Sequence, residues 1–226
     1  MSVEYAVISI GTLSHNHFWG ETAPLRTAHA TTTLVCDGSK RILVDPSLPA
    51  VALEARFFER TGRHLDSVTD VFCTTLRPVH RRSIEALGKA NWWASQTELE
   101  AYGETLKTLL DSAERLNPED ARTAEAELEL LQQFKPAPDK FTPQVHLYPL
   151  AGPSAGSAGL LLTPATASII IAGDAALTSE HVMHGQIWEG CANREMALES
   201  LRDLLEVADI IVPGHDNVMP SSGRWV

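Results

Sequence analysis

Short apolar runs that alternate with helical patterns constrain the fold of this chain more than any other feature of its sequence. Strand-like runs come first, at residues 5–10, 30–35 and 41–45, with an Asp37-Gly38 hairpin signal between the last two. Beyond them, strand-like runs alternate with helical segments. This order predicts one α/β domain over residues 1–226, with layers of helices over sheets.

Residues 97–134 form the most helical part of the sequence. The apolar residues that recur there at intervals of three and four are Leu99, Tyr102, Leu106, Leu109 and Ala113, followed by Leu128, Leu131 and Phe134. Asn117, Pro118 and two acidic residues are typical of the start of a second helix. We expect a helical pair that packs on the core; an insertion, a lid or a homodimer surface are the alternatives.

Composition limits the classes of partner. The net charge of −11 makes an acidic surface that repels phosphate backbones and anionic lipids, so we expect neither nucleic acid nor a membrane surface as a partner. No apolar run approaches the roughly 20 residues that cross a bilayer, and the first residues lack a basic signal-peptide region. Three scattered cysteines, an odd number, favour a reducing cytoplasm, with Cys73 as a buried thiol. A small-molecule ligand is the expected partner.

Three apolar strands each end in a turn that carries a potential metal ligand: His80, Asp174 and His215. Strand ends at one edge of a sheet can converge although they are far apart in sequence. Two imidazoles and a carboxylate suit zinc, manganese or iron and leave a position for water, whose pKa the metal would lower toward roughly 7. Taken singly, each residue also fits an ordinary role, a turn for the aspartate and a hydrogen-bonded loop residue for each histidine.

The order of these features resembles the metallo-β-lactamase-fold superfamily over nearly the whole chain, to Asp216. The resemblance rests on Leu43-Val44-Asp45 at the end of the hairpin, on Gly173-Asp174-Ala175, and on Val212-Pro213-Gly214-His215-Asp216. It implies a single domain with a four-layer αββα sandwich and two metal ions at one edge. The bridging aspartate of the family falls on Asp174 and its last histidine on His215.

The signature loop of that family, Thr-His-x-His-x-Asp-His, is mostly absent from this chain. It falls on residues 74–80, where Thr75 and Arg77 replace the first two histidines, Val79 replaces the aspartate, and only His80 matches. A further family histidine falls near Pro153. The resemblance therefore implies that the three-histidine metal position has lost its ligands.

The second metal position keeps His80, Asp174 and His215. Arg77 would put a positive charge where the first ion of the family lies; there it could pair with Asp174 or grip an anionic ligand. Alternatively, it belongs to a solvated basic cluster at a helix start. Other histidines are secondary candidates for the site: His15, His17, His29, His181 and His184.

Two functions follow. The first is a hydrolase of small esters, lactones, thioesters or phosphoesters with one divalent metal ion on His80, Asp174 and His215, and with Asp174 and Arg77 as the catalytic side chains. The second is a protein that binds no metal and does not catalyse, and that holds a small anionic ligand or a partner protein, with the helices of residues 97–134 as an interface. Hydrolysis by two zinc ions is not expected.

Overall fold

Two six-stranded sheets make up the centre of the molecule in the computed structural model, which describes residues 2–111 and 117–221. The first sheet contains β1 (Glu4–Ser9), β2 (Thr32–Asp37), β3 (Lys40–Val44), β4 (Asp70–Phe72), β5 (Asn91–Ala94) and β6 (Phe134–Pro136). The second contains β7 (Lys140–Thr142), β8 (Val145–Pro149), β9 (Ala158–Leu162), β10 (Ile169–Gly173), β11 (Ile210–Pro213) and β12 (Met219–Pro220). In both sheets neighbouring strands follow chain order.

The helices lie between these strands in the chain. They are α1 (Ala50–Thr61), α2 (Gln96–Asp111), α3 (Pro118–Leu131), α4 (Ser179–Met183) and α5 (Arg194–Val207). Short 3₁₀ turns add His17–Trp19, Leu65–Ser67, Pro78–His80 and Ile84–Leu87. The start predicted for α3 is present, since the Asn117 side chain accepts hydrogen bonds from the backbone N–H groups of Glu119 and Asp120. Ala113, expected in the apolar stripe of the first helix, lies outside the described residues.

Both sheets mix parallel and antiparallel pairs. In the first, β3, β4, β5 and β6 run parallel; in the second, β10 and β11 run parallel. Parallel neighbours end at the same edge of a sheet, so the loops that follow them meet there.

Alternation along the strands produces four layers. In β3, Leu43 packs with α1, while Ile42 and Val44 pack between the two sheets. In β10, Ile170 packs with α5, while its neighbours on either side join the core between the sheets. Because successive strand side chains point to opposite faces, each sheet has helices on one face and the other sheet on its second face. The predicted αββα sandwich is confirmed.

The two helices of this region are present, but the predicted apolar stripe is followed only in part, since Leu109 is exposed. Leu99, Tyr102 and Leu131 pack against the core under the first sheet. The prediction that Phe134 belongs to this helix is wrong, because α3 ends at Leu131 and Phe134 starts β6, paired with Trp92 of β5. The suggestion of a lid or a dimer surface stays a prediction. Among the described residues, no helix combines the length and the apolar character that a membrane span requires.

Candidate functional site

The loops after β4, β10 and β11 bring three side chains to one point at the edge of the sheets. Asp174 follows β10 directly, and His215 follows the parallel neighbour β11. His80 arrives from the first sheet, on the 3₁₀ turn Pro78–His80. Gly173 permits this approach, because its φ is +55° and an added Cβ would lie 2.4 Å from Oγ1 of Thr74.

Asp174 lies between the two imidazoles. Its Oδ2 is 3.2 Å from Nε2 of His80, and its Oδ1 is 3.1 Å from Nε2 of His215. One potential ligand atom from each residue lies within 4.8 Å of the other two, and all three residues are buried. We call these three residues the His–Asp–His group.

A separate partner orients the far nitrogen of each imidazole. Nδ1 of His80 is 2.9 Å from Oδ2 of Asp45, and Asp45 accepts hydrogen bonds from both the N–H and the hydroxyl of Thr74. Nδ1 of His215 is 3.2 Å from the carbonyl oxygen of Thr12 and 3.0 Å from that of His29. Since carbonyl oxygens only accept, Nδ1 of His215 carries the hydrogen. Both Nε2 atoms therefore face Asp174, in the arrangement typical of metal-binding histidines.

Opposite charges on the imidazoles and carboxylates dominate the electrostatics of the group. Burial disfavours the charged imidazole of His80, but the carboxylates of Asp174 and Asp45 outweigh it and raise the pKa of His80 to about 10. Burial also opposes ionisation of Asp174, yet His80 and His215 hold the pKa of its carboxyl well below its usual range. Imidazole nitrogens that face one buried carboxylate need protons or a metal ion between them.

This donor set fits one divalent ion. Two imidazole nitrogens and a carboxylate are ligands for zinc, manganese or iron, and three protein ligands leave a coordination position open. Within residues 2–111 and 117–221, the His–Asp–His group is the one cluster of such side chains with this spacing. The role of His80, Asp174 and His215 as ligands stays a prediction.

The corner next to the His–Asp–His group, where the family resemblance places the three-histidine metal position, contains no histidine ligands among the described residues. Thr75 and Pro153 are buried there, and the carboxylate of Glu98 joins their two loops. Oε1 of Glu98 accepts from the hydroxyl of Thr75 (2.8 Å) and the N–H of Leu76 (2.9 Å). Its Oε2 accepts from the hydroxyl of Ser154 (2.7 Å) and the N–H of Gly156 (3.1 Å). This carboxylate clamp, Glu98 with its four donors, fills the corner without any imidazole.

Arg77 reaches from this corner into the His–Asp–His group. Its Nη1 donates to Oδ2 of Asp174, and its guanidinium carbon lies 3.8 Å from the ring centroid of Trp188. About a third of the side chain is exposed, whereas Asp174 is fully buried. Arg77 thus faces into the site. It does not belong to a solvated basic cluster with Arg81 and Arg82, which was the alternative.

A pocket of about 260 Å³ lies beside this group, and His215 is the member of the group that lines it. Its walls include Arg77, His215 and Trp188, and its outer part includes residues of the segment between β1 and β2. The residues of that segment that line the pocket are Leu13, Ser14, His15, His17 and Ala28. The side chains around the pocket combine one guanidinium, the carboxylate of Glu189, several imidazoles and an apolar lining, so it suits a small polar molecule.

The secondary histidines do not join the His–Asp–His group. His15, His17 and His181 line the pocket, and His184 stacks on Phe18 at 4.7 Å between ring centroids. His29 contributes its backbone carbonyl to the hydrogen-bonding of His215, and its own Nε2 is 3.1 Å from the carbonyl oxygen of Ile10.

Sequence reasoning missed the roles of Asp45 and Glu98. The family resemblance includes Asp45 but gives it no role. Its φ of 50° places it in the left-handed region that aspartate tolerates. Glu98 follows Ser95 in the Ser-x-x-Glu pattern of a helix start. This pattern explains a glutamate at position 98, but it does not predict the hydrogen bonds that the side chain makes. Ser95 does cap the helix through the N–H of Glu98, but the Glu98 side chain turns to the two loops instead.

Comparison with known proteins finds similarity in structure alone. No protein-family model matches the sequence, and no curated protein matches it. A Thermotoga maritima protein assigned to the metallo-β-lactamases superimposes with a TM-score of 0.70 at 16% identity, over 97% of this chain and 100% of the other.

Two proteins described by their ligands are similar as well. AidC, a dizinc quorum-quenching lactonase in complex with a product, has a TM-score of 0.64 at 16% identity, over 83% of this chain and 72% of its own. A mutant of B. thuringiensis AiiA with N-decanoyl-L-homoserine at its active site has a TM-score of 0.65 at 19% identity, over 96% and 94%. At these identities the likeness establishes the architecture, and this chain has the metallo-β-lactamase fold.

Proposed function

We propose that this chain is a hydrolase that works with one divalent metal ion held by His80, Asp174 and His215. The observation that carries the proposal is the convergence of two Nε2 atoms on one buried carboxylate, with each Nδ1 engaged elsewhere. Zinc, manganese and iron match this donor set. A divalent ion there would act as a Lewis acid that activates water at neutral pH.

The side chains of the chain itself supply the remaining functions. The Asp174 carboxylate would help to hold the ion and would orient the attacking water. Arg77 contacts Asp174 and is partly exposed to the pocket, so its guanidinium lies where it can stabilise the negative charge that develops on the substrate. Trp188, stacked on the guanidinium, restricts its orientation.

Two observations support one ion rather than two. The corner next to the His–Asp–His group has Thr75 and Pro153 where the family resemblance places histidines, and Glu98 binds four neutral donors there. Arg77 places a fixed positive charge against Asp174 on the same side. A second cation would meet no imidazole in this corner, the Glu98 carboxylate there is already occupied by four donors, and the guanidinium would repel the ion.

The reaction class is hydrolysis of a small ester, lactone, thioester or phosphoester. Each of these gains negative charge on oxygen when water attacks, and Arg77 supports that charge in every case. Fold neighbours named as lactonases and as a hydrolase are consistent with this class.

The test is metal content together with activity. We expect protein purified without a histidine tag to bind one equivalent of metal, and His215→Ala to lose it. Metal removal should abolish hydrolysis across a panel of the four substrate types, and readdition of zinc or manganese should restore it. Absence of bound metal in the wild type, with no change in melting temperature on adding either ion, would refute the proposal.

The Arg77–Asp174 ion pair favours a second candidate, a metal-free protein that binds a small anionic ligand. In that case the guanidinium takes the place of a cation beside Asp174 and presents its remaining donors to the pocket. Metal-free protein that binds a small carboxylate, and that gains no activity with any metal, would support this candidate.

A further inference from the structure

His181 is a pocket residue that the proposed chemistry leaves unused. It lies on α4, its side chain is 3% exposed, and it lines the pocket together with Arg77, Trp188 and His215. Nδ1 has a partner, but Nε2 has no hydrogen-bond partner among the described residues. A nearly buried imidazole with one free nitrogen at a pocket wall is a candidate for ligand recognition.

A chain of hydrogen bonds fixes which nitrogen carries the hydrogen. The Thr178 hydroxyl is 2.9 Å from a carboxylate oxygen of Glu180, which can only accept, so the hydroxyl donates its one hydrogen to Glu180. The same hydroxyl is 2.8 Å from Nδ1 of His181 and must accept that hydrogen bond. Nδ1 of His181 is therefore protonated, and Nε2 presents a lone pair.

Neighbouring contacts reinforce this arrangement. The other oxygen of Glu180 accepts from Nε1–H of Trp19 at 2.8 Å, which secures the carboxylate. The rings of His17 and Phe18 lie edge-on to His181, with centroid distances of 5.3 and 5.0 Å. Burial lowers the pKa of His181 to about 4, so the imidazole stays neutral near pH 7.

We propose that Nε2 of His181 accepts a hydrogen bond from the ligand and so selects molecules that carry a hydroxyl or amide N–H group. A neutral imidazole with Nδ1 fixed as the donor is an acceptor at Nε2, and a ligand without a donor leaves it unpaired. The inference rests on the proposed function only in taking that ligand to be the substrate. Its class is a small hydrolysable molecule with a donor group away from the bond that is cleaved. His181 is thus a residue that determines specificity.

Binding without turnover tests this inference independently of catalysis. The probes are butyrate and its three monohydroxy derivatives, whose carboxylate can pair with Arg77 while the hydroxyl samples different positions. We expect wild-type protein to bind at least one hydroxy acid about five- to tenfold more tightly than butyrate, the value of one hydrogen bond. His181→Phe should remove this preference, and His181→Gln, which retains an acceptor oxygen, should keep part of it.

His184→Phe is the matched control, because His184 is exposed on the same helix end and does not line the pocket. Long-range ¹H–¹⁵N spectra give a second readout, in which His181 should show a protonated Nδ1 and an unprotonated Nε2 at neutral pH. Equal binding of butyrate and all three hydroxy acids, a preference that survives in His181→Phe, or a protonated Nε2 would each overturn the inference. A preference found in protein that never hydrolyses a substrate would leave this inference standing and defeat only the proposed function.

Discussion

Two buried carboxylates at the same edge of the sheets illustrate opposite uses of one chemical group. Glu98 accepts four hydrogen bonds from hydroxyl and backbone N–H groups, so neutral partners from two loops surround its charge. Asp174 contacts two imidazoles and a guanidinium, all of which carry or can carry positive charge. The first arrangement is complete within the protein; the second is made of groups that can exchange protons and lies beside a pocket.

The comparison shows that burial alone does not identify a functional carboxylate. A carboxylate has about four lone-pair sites, and where fixed neutral donors fill them all, as at Glu98, nothing remains for a ligand. Where titratable side chains surround it, as at Asp174, a metal ion can displace protons from the same nitrogens. The identity of the partners is therefore the informative observation.

The largest expected effect concerns stability at the carboxylate clamp. Glu98→Ala leaves four donors, three of them buried, without an acceptor, and we expect it to lower the free energy of unfolding by about 3 kcal/mol. Urea unfolding followed by circular dichroism measures the loss. Glu100→Ala, an exposed glutamate on the same helix, is the control and should change stability by less than about 0.5 kcal/mol. Similar stabilities for the two variants would show that the carboxylate clamp does not stabilise the fold.

The next largest effect concerns Asp45, which orients His80 and should therefore affect the affinity of the site for metal. Asp45→Asn keeps a residue that tolerates positive φ but removes the carboxylate that orients His80. We expect metal affinity to fall about ten- to a hundredfold, the usual effect of losing such a partner. Competition with a chromophoric chelator measures it, with the exposed Asp66→Asn as control. Unchanged affinity in Asp45→Asn would mean that His80 is not oriented for a metal.

The smallest effect concerns Arg77 and has the opposite sign. Arg77→Met removes a positive charge that competes for Asp174, so we expect metal to bind about tenfold more tightly. Arg82→Met, at an exposed position on the same loop, should leave the affinity unchanged. Weaker binding in Arg77→Met would show that the guanidinium supports the ion rather than replacing a second one.

Sequence patterns predicted the strands that carry the site because these patterns depend on rules that act locally. Strand assignment placed Asp174 and His215 at strand ends that can converge, and the parallel pairing of β10 with β11 brings those ends to the same edge. Phe134 was assigned wrongly because helical spacing continues past Leu131, while pairing with Trp92 decides the actual structure.

The contacts of long side chains could not be predicted in the same way. The direction of Arg77 depends on Asp174 and Trp188, which come from distant parts of the chain. Glu98 fits the ordinary pattern of a helix start, so nothing in its local sequence indicates that its carboxylate leaves the helix and joins two loops.

The pairing of His215 with the carbonyl oxygens of Thr12 and His29 joins residues that are 203 and 186 positions apart. Contacts of such long sequence separation form only after the intervening chain has been ordered. During translation the first sheet can assemble long before His215 leaves the ribosome. The His–Asp–His group is therefore complete only after nearly all of the residues up to His215 have been synthesised.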